Sequence, residues 1–175
     1  GPVDPAVSSV PWDSLEALEA EFERVGPDKV AAVFAEPVIG AGGVHRVPPG
    51  YLQGLAALCT KHGALFIADC VIAAFGRLGT MWGVDRFDLR PDMMTFAKGV
   101  TSGYLPLGGV VISGRIAEPF WEGDGLWFRH GQTYSGHPTC CAAALANLDI
   151  IENEGLLQRG RELEDEIASA LSPLE

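Results

Sequence analysis

The fold of this chain is decided by one stretch, Asp92-Met-Met-Thr-Phe-Ala-Lys98-Gly-Val-Thr-Ser-Gly-Tyr-Leu-Pro-Leu-Gly-Gly109. Its apolar residues Met93 to Ala97 predict a short buried strand, and Lys98 follows at the end of that strand. A lysine between a buried strand and a glycine-rich loop is expected to be poorly solvated, which favours the neutral amine and makes it a nucleophile toward carbonyl groups. The alternative is a strand-end lysine that keeps its ammonium group in water. This stretch alone leaves both open.

Further apolar runs predict a sheet around this strand. Residues 30–35 and 64–68 are continuous apolar runs, which is typical of strands buried on both faces of a parallel sheet, and residues 109–113 predict one more strand. Helical spacing or helix boundary residues occur over 13–25, 48–62, 138–154 and 156–171. Strands that alternate with helices predict an α/β fold, a largely parallel sheet with helices on both faces.

Three charged residues directly follow predicted strands. Glu36, Asp69 and Lys98 each stand where an apolar run ends. Because ligands of open parallel sheets bind at the carboxyl ends of the strands, we expect the three side chains to face one crevice.

Composition and charge exclude several classes of protein. The chain has 175 residues, enough for one domain with its own core, and its formal net charge of −11 argues against a nucleic-acid partner. No apolar run approaches the ~18–20 residues of a membrane span, and no signal sequence is visible. The four cysteines have no zinc-ligand spacing and form no Cys-x-x-Cys pair, so we predict no metal site and a reduced, cytoplasmic protein.

Asp69 and Lys98 together suggest a site for pyridoxal 5'-phosphate (PLP). A lysine forms the Schiff base with the aldehyde of this cofactor, and a carboxylate opposite the pyridine nitrogen keeps the nitrogen protonated. Two opposite charges in contact attract each other by ~4 kcal/mol at an effective dielectric constant near 20, enough to hold a pyridinium at neutral pH. Val71, two positions after Asp69, is placed to pack on the face of the ring.

Four segments resemble the class III aminotransferases, which are fold type I PLP enzymes. They occur in the order and at about the spacing of that family, and the resemblance covers nearly the whole chain from residue 30 onward. The segments are Glu36-Pro-Val-Ile-Gly-Ala-Gly-Gly43, Ala68-Asp69 through Phe75-Gly-Arg77, Phe96-Ala-Lys-Gly99 through Pro106-Leu-Gly-Gly109, and His130-Gly-Gln-Thr-Tyr-Ser-Gly-His-Pro138.

The resemblance implies a role for each candidate site residue. Lys98 matches the Schiff-base lysine, which also moves the substrate proton. Asp69 matches the carboxylate on the pyridine nitrogen, Val71 the residue packed on the ring, and Thr133 the threonine that binds the cofactor phosphate of the neighbouring subunit. The last role implies a homodimer with its sites at the interface. The alternatives are that Asp69 only caps a turn, that Thr133 is a plain turn residue, and that Glu36 makes a structural contact instead of a substrate contact.

The activity implied is transfer of an amino group from an amine or ω-amino acid to a keto acid. Two alternatives stay open: an aminomutase or epimerase of the same fold, and a non-catalytic fragment that serves as a scaffold. The family usually has Asp-Glu and a Thr/Ser/Cys-Gly pair where this chain has Asp69-Cys70 and Ala73-Ala74. We expect the first change to remove a polar anchor. We expect the second to add a methyl group near the ring and to disfavour a positive φ.

Relatives in this family are more than twice as long as this chain. We therefore expect residues 1–155 to form the central part of a PLP-binding large domain. Residues 156–175 are expected to form a helix that leads toward a small C-terminal domain beyond the chain. The segment alone is expected to hold the cofactor weakly and to be a poor catalyst.

Overall fold

A computed structural model describes residues 4–122 and 125–174 of the chain. Predicted helices and strands are found within a few residues of their expected bounds. The sequence also predicts a long irregular loop over residues 122–136, of which Gly123 and Asp124 lie outside the described residues. The elements in chain order are α1 (Leu15–Val25), β1 (Ala32–Ala35), β2 (Val38–Ile39), β3 (His45–Arg46), α2 (Tyr51–His62), β4 (Leu65–Asp69), β5 (Met93–Phe96), β6 (Gly109–Ile112), α3 (Gly114–Trp121), α4 (Pro138–Asn153) and α5 (Leu156–Leu171).

The main sheet has four strands in the order β1-β4-β5-β6. Strands β1, β4 and β5 run parallel, with Asp69 beside Thr95, whereas β6 is antiparallel to β5. This arrangement confirms the predicted α/β fold with a largely parallel sheet. The short strands β2 and β3 form a separate antiparallel pair around the Gly40–Gly43 loop.

Helices α1 and α2 cover one face of the main sheet. Successive residues of a strand face opposite sides of the sheet. Phe66 and Ala68 of β4, two positions apart, therefore point to the same side, where both are buried. Helix side chains pack with them into one hydrophobic core; the largest are Leu18, Phe22, Tyr51, Leu52 and Leu55.

The opposite face of the sheet is partly open. Phe34 of β1 is 57% exposed and Val110 of β6 is 56% exposed. The expectation that the run 30–35 is buried on both faces is therefore wrong for Phe34. Within the described residues, α4 and α5 pack on loops and on each other instead of on this face.

Helix α3 was not expected, because Pro119 lies inside it and proline is disfavoured in helix interiors. Helix α5, in contrast, has the bounds predicted for it. Among the described residues, no helix combines the length and the apolar character that crossing a membrane requires.

Helix α5 fixes the loop that follows β4. A Cβ atom on Gly160 of α5 would lie 3.0 Å from the carbonyl oxygen of Gly76, so the helix backbone and the loop backbone are in close approach. Arg161 Nε donates to the carbonyl oxygen of Gly79 at 2.7 Å, and Arg86 forms an ion pair with Glu164 at 2.8 Å. Loop and helix therefore support each other beside the carboxyl edge of the sheet.

Candidate active site

Asp69 ends strand β4 with its side chain held by two hydrogen bonds. Its Oδ1 accepts from the hydroxyl of Thr95 on β5 and from the backbone N–H of Val71, both at 3.0 Å. Asp69 therefore does cap the turn after β4, as one alternative held, but it uses one carboxylate oxygen for this. Both hydrogen bonds go to Oδ1, and neither of them involves Oδ2.

Lys98 follows β5 and begins a 3-10 turn that runs from Lys98 to Thr101. Its φ of 41° lies in the left-handed region. That conformation costs a non-glycine residue roughly 1–2 kcal/mol, and such strain concentrates at functional sites. Because β4 and β5 are parallel neighbours and Asp69 lies beside Thr95, Asp69 and Lys98 emerge at the same edge of the sheet, as predicted.

Lys98 faces an open cleft of about 650 Å³. Its side chain is exposed, so the expected poor solvation of the amine is not found in the described structure. The glycine-rich loop lines the cleft with residues 103–108 but does not cover it, and Tyr104 in that loop is 85% exposed. The amine is therefore in contact with water in this segment, and the catalytic role of Lys98 stays a prediction.

Three aromatic rings pack together beside the lysine turn. The ring centroid of Phe75 lies 5.4 Å from that of Trp82 and 5.9 Å from that of Phe96, and Trp82 and Phe96 are 5.9 Å apart. A Cβ on Gly99 would lie 3.2 Å from Phe75 Cβ, and one on Gly109 would lie 2.6 Å from Phe96 Cζ. Glycine at these two positions therefore lets the chain before and after the loop lie directly on the rings. The sequence placed these residues in three separate segments and gave no sign of their contact.

The other candidate residues are less closely tied to this pair. Thr133 is exposed in a turn, and among the described residues no hydrogen bond links it to Asp69 or Lys98. Its phosphate-binding role stays a prediction. Glu36 Oε2 accepts from the backbone N–H of Gly40 at 3.0 Å, which anchors its own loop and favours the structural alternative.

The sequence of the chain matches a known protein family over almost its whole length. The model of the class III aminotransferases matches residues 5–175. The chain belongs to this family. This class III aminotransferase chain is similar to the diaminobutyrate–2-oxoglutarate transaminase of Halomonas elongata, with 48% identity over 147 residues. The alignment covers 83% of this chain and 31% of the relative.

Solved structures of transaminases have the same fold. A transaminase from the marine bacterium Virgibacillus is 47% identical with a TM-score of 0.87, covering 91% of this chain and 36% of that chain. An amine transaminase from an uncultivated Pseudomonas species, solved in its PLP-bound form, is 44% identical with a TM-score of 0.86. That match covers 91% of this chain and 36% of the Pseudomonas chain. The class III aminotransferase chain described here spans about a third of the length of these relatives.

The residues by which this class III aminotransferase chain departs from the family pattern lie in the core. Cys70 is fully buried, and Ala73 and Ala74 are nearly so. Neither alanine has a positive φ; in this turn the non-glycine residue with a positive φ is Phe75, at 55°. The expected conformational penalty at the alanines is therefore not found, and the two methyl groups fill core space.

Burial sets the reactivity of two thiols. It raises the pKa of Cys70 to about 11, an effect that the backbone N–H groups of Val84 and Gly83 oppose, and it raises the pKa of Cys59 to about 11 as well. A thiol reacts as the thiolate, so a rise of this size lowers the reactive fraction at neutral pH about 100-fold.

We therefore expect Cys59 and Cys70 to resist a thiol reagent in the folded protein at pH 7.4 and to react fully after denaturation. Cys141 is partly exposed and serves as the internal comparison. Mass spectrometry of the labelled peptides measures each site separately. Labelling of Cys59 and Cys70 as fast as in the denatured protein would contradict the burial that the structure shows.

Proposed function

We propose that the protein is a PLP-dependent aminotransferase that transfers an amino group from an amine or ω-amino acid to a keto acid. The observation that carries the proposal is the pair of side chains, a carboxylate at Asp69 and an amine at Lys98, that two adjacent parallel strands bring to one edge of the sheet. The proposal is supported by the relatives, since one acts on diaminobutyrate with 2-oxoglutarate and another is an amine transaminase.

The side chains at this edge fit PLP. Asp69 Oδ2 would accept from the protonated pyridine nitrogen, Lys98 would attach the cofactor through its ε-amine, and Val71 would contact the ring. When bound, PLP supplies an electron sink for the carbanion formed at the substrate carbon. The cleft beside Lys98 is open in the described residues, which agrees with the expectation that this segment alone holds the cofactor weakly.

The chain's own groups would do the orienting and the proton transfer. Thr95 and the Val71 amide hold Asp69 Oδ1, so they fix the direction of Oδ2 without neutralising the carboxylate. The free ε-amine of Lys98 would take a proton from the substrate carbon and return it, the role of a general base. The exposure of Lys98 leaves room for a substrate to approach it.

We further propose a homodimer with its active sites at the subunit interface. The support is the exposed loop around Thr133, in which Trp127, Phe128 and Tyr134 are each more than 70% exposed. Large exposed apolar side chains in one loop are in keeping with an interaction surface. Thr133 would then bind the phosphate in the partner's site.

The domain division and the location of the protein are also proposals. The break between α4 and α5 at Gly155, which has a φ of 65°, supports a change of element at residue 155. The contacts of α5 with the Gly76–Gly79 loop support its place beside the proposed large domain. The four cysteines are free thiols, which is in keeping with a reducing, cytoplasmic compartment.

Incubating the full protein with PLP and an amine donor, with and without a keto acid, tests the proposed activity. A transaminase is expected to turn over only when both substrates are present. An aminomutase or epimerase would turn over without the keto acid. A scaffold would give no turnover and no visible absorbance change on addition of PLP. Either of the last two outcomes would contradict the proposal.

A further inference from the structure

A single side chain on helix α4 holds the turn that carries Lys98. Asn147 Nδ2 donates to the carbonyl oxygens of Gly99 at 2.9 Å and Val100 at 3.1 Å. Its Oδ1 accepts from the hydroxyl of Ser102 at 2.6 Å. One amide therefore contacts three of the four residues that follow Lys98.

The orientation of this amide is determined by its partners. A carbonyl oxygen only accepts hydrogen bonds, so the two carbonyl groups of the turn require the nitrogen of Asn147 on their side. The Ser102 hydroxyl satisfies the oxygen on the other side. Both polar atoms of the side-chain amide, Nδ2 and Oδ1, are thus used, in three hydrogen bonds. Turning the amide over would place its oxygen against the two carbonyl oxygens of the turn.

Other residues of the same turn are held by burial and by a further hydrogen bond. Val100 and Thr101 are buried, and the Thr101 hydroxyl donates to the carbonyl oxygen of Leu105 at 2.6 Å. Lys98 itself is exposed and has a left-handed backbone, so burial of its own side chain does little to hold it. The turn therefore sets the place from which the Lys98 side chain extends, and Asn147 holds the turn to helix α4.

We propose that Asn147 is a positioning residue for Lys98, which holds the turn from residue 98 to 102 in the geometry that amino-group transfer needs. This inference rests on the proposed function for its effect on turnover. Its effect on the reactivity of Lys98 does not depend on that function. Sequence distance hides the contact, since 48 residues separate Asn147 from Gly99.

The test is Asn147→Asp in the full protein. The carboxylate has the shape of the amide but sets an oxygen against the carbonyl groups of Gly99 and Val100, so the turn must shift. A displacement of about 1 Å at a reacting group costs up to about 100-fold, so we expect kcat to fall about 10-fold or more while the amine KM stays within about twofold.

A second measurement does not require turnover. In the cofactor-free protein, reductive methylation followed by mass spectrometry gives the rate of modification of Lys98 relative to Lys29, which is exposed and distant in sequence. We expect this ratio to change at least about twofold in Asn147→Asp, because the amine changes its surroundings.

Two variants make the test decisive. Asn153→Asp makes the same chemical change on the same helix at an exposed position, and both measurements are expected to stay at wild-type values. Ser102→Ala removes only one of the three hydrogen bonds and is expected to lower kcat about threefold. If Asn147→Asp does not fold, Ser102→Ala tests whether the hydrogen bonds of Asn147 position Lys98.

Wild-type kcat and wild-type Lys98 labelling in Asn147→Asp, or equal losses in Asn153→Asp, would overturn the inference. If Asn147→Asp does not fold, an unchanged Ser102→Ala protein would overturn it. A wild-type protein that shows neither transamination nor PLP attached to Lys98 would instead contradict the proposed function. The modification rate of Lys98 relative to Lys29 would still test whether Asn147 positions Lys98.

Discussion

Lys98→Ala is expected to abolish covalent attachment of PLP and to lower the transamination rate of the full protein by at least about 10³-fold. The physical reason is that one amine would serve both as the attachment point and as the base, and loss of a general base alone costs about 10²–10⁴-fold. Borohydride reduction followed by proteolysis and mass spectrometry measures the attachment. The pyridoxyl group is expected on the Lys98 peptide of the wild type and on no peptide of the variant.

The matched control for this experiment is Lys29→Ala. Lys29 is an exposed lysine that follows α1, far along the chain from the site, so its loss is expected to leave both attachment and rate unchanged. Normal turnover of Lys98→Ala, or PLP still covalently attached to it, would contradict the role of Lys98 as attachment point and base.

Asp69→Asn is expected to lower kcat/KM for the amine by about 10³-fold. The asparagine keeps Oδ1 as an acceptor for Thr95 and the Val71 amide, so the turn after β4 is preserved. It replaces the charged Oδ2 by a neutral NH2 group, which no longer stabilises a protonated pyridine nitrogen. The attraction lost is about 4 kcal/mol at an effective dielectric constant near 20, which corresponds to about 10³-fold.

Steady-state kinetics at saturating PLP measures this loss, and titration of the cofactor-free protein with PLP shows how much of it is weaker binding. Asp88→Asn is the matched control, because it makes the same change at an exposed turn where φ is 50°, a conformation that asparagine also accepts. A kcat/KM within twofold of the wild type in Asp69→Asn would show that its carboxylate charge has no part in the reaction.

Local patterns predicted the elements that lie at the site. The apolar run at 64–68 became β4, and the run before Lys98 became β5, because continuous apolar stretches bounded by charged or glycine-rich segments have few other solutions in a parallel sheet. The same reasoning failed for Phe34, since a run of apolar residues does not show whether a second layer covers each face. It also missed α3, where Pro119 hid the helical pattern.

The sequence by itself determined that Asp69 and Lys98 each follow a strand of a largely parallel sheet, because continuous apolar runs mark such strands and their carboxyl ends share one edge. That these two strands are neighbours, with Asp69 beside Thr95, comes from the tertiary structure. Only the tertiary structure decided the left-handed backbone of Lys98, the exposure of its amine, the ring cluster at Phe75 and the hold of Asn147 on the turn. Each of these depends on contacts between segments far apart along the chain. Such contacts follow from how whole elements pack, which the local sequence pattern does not encode.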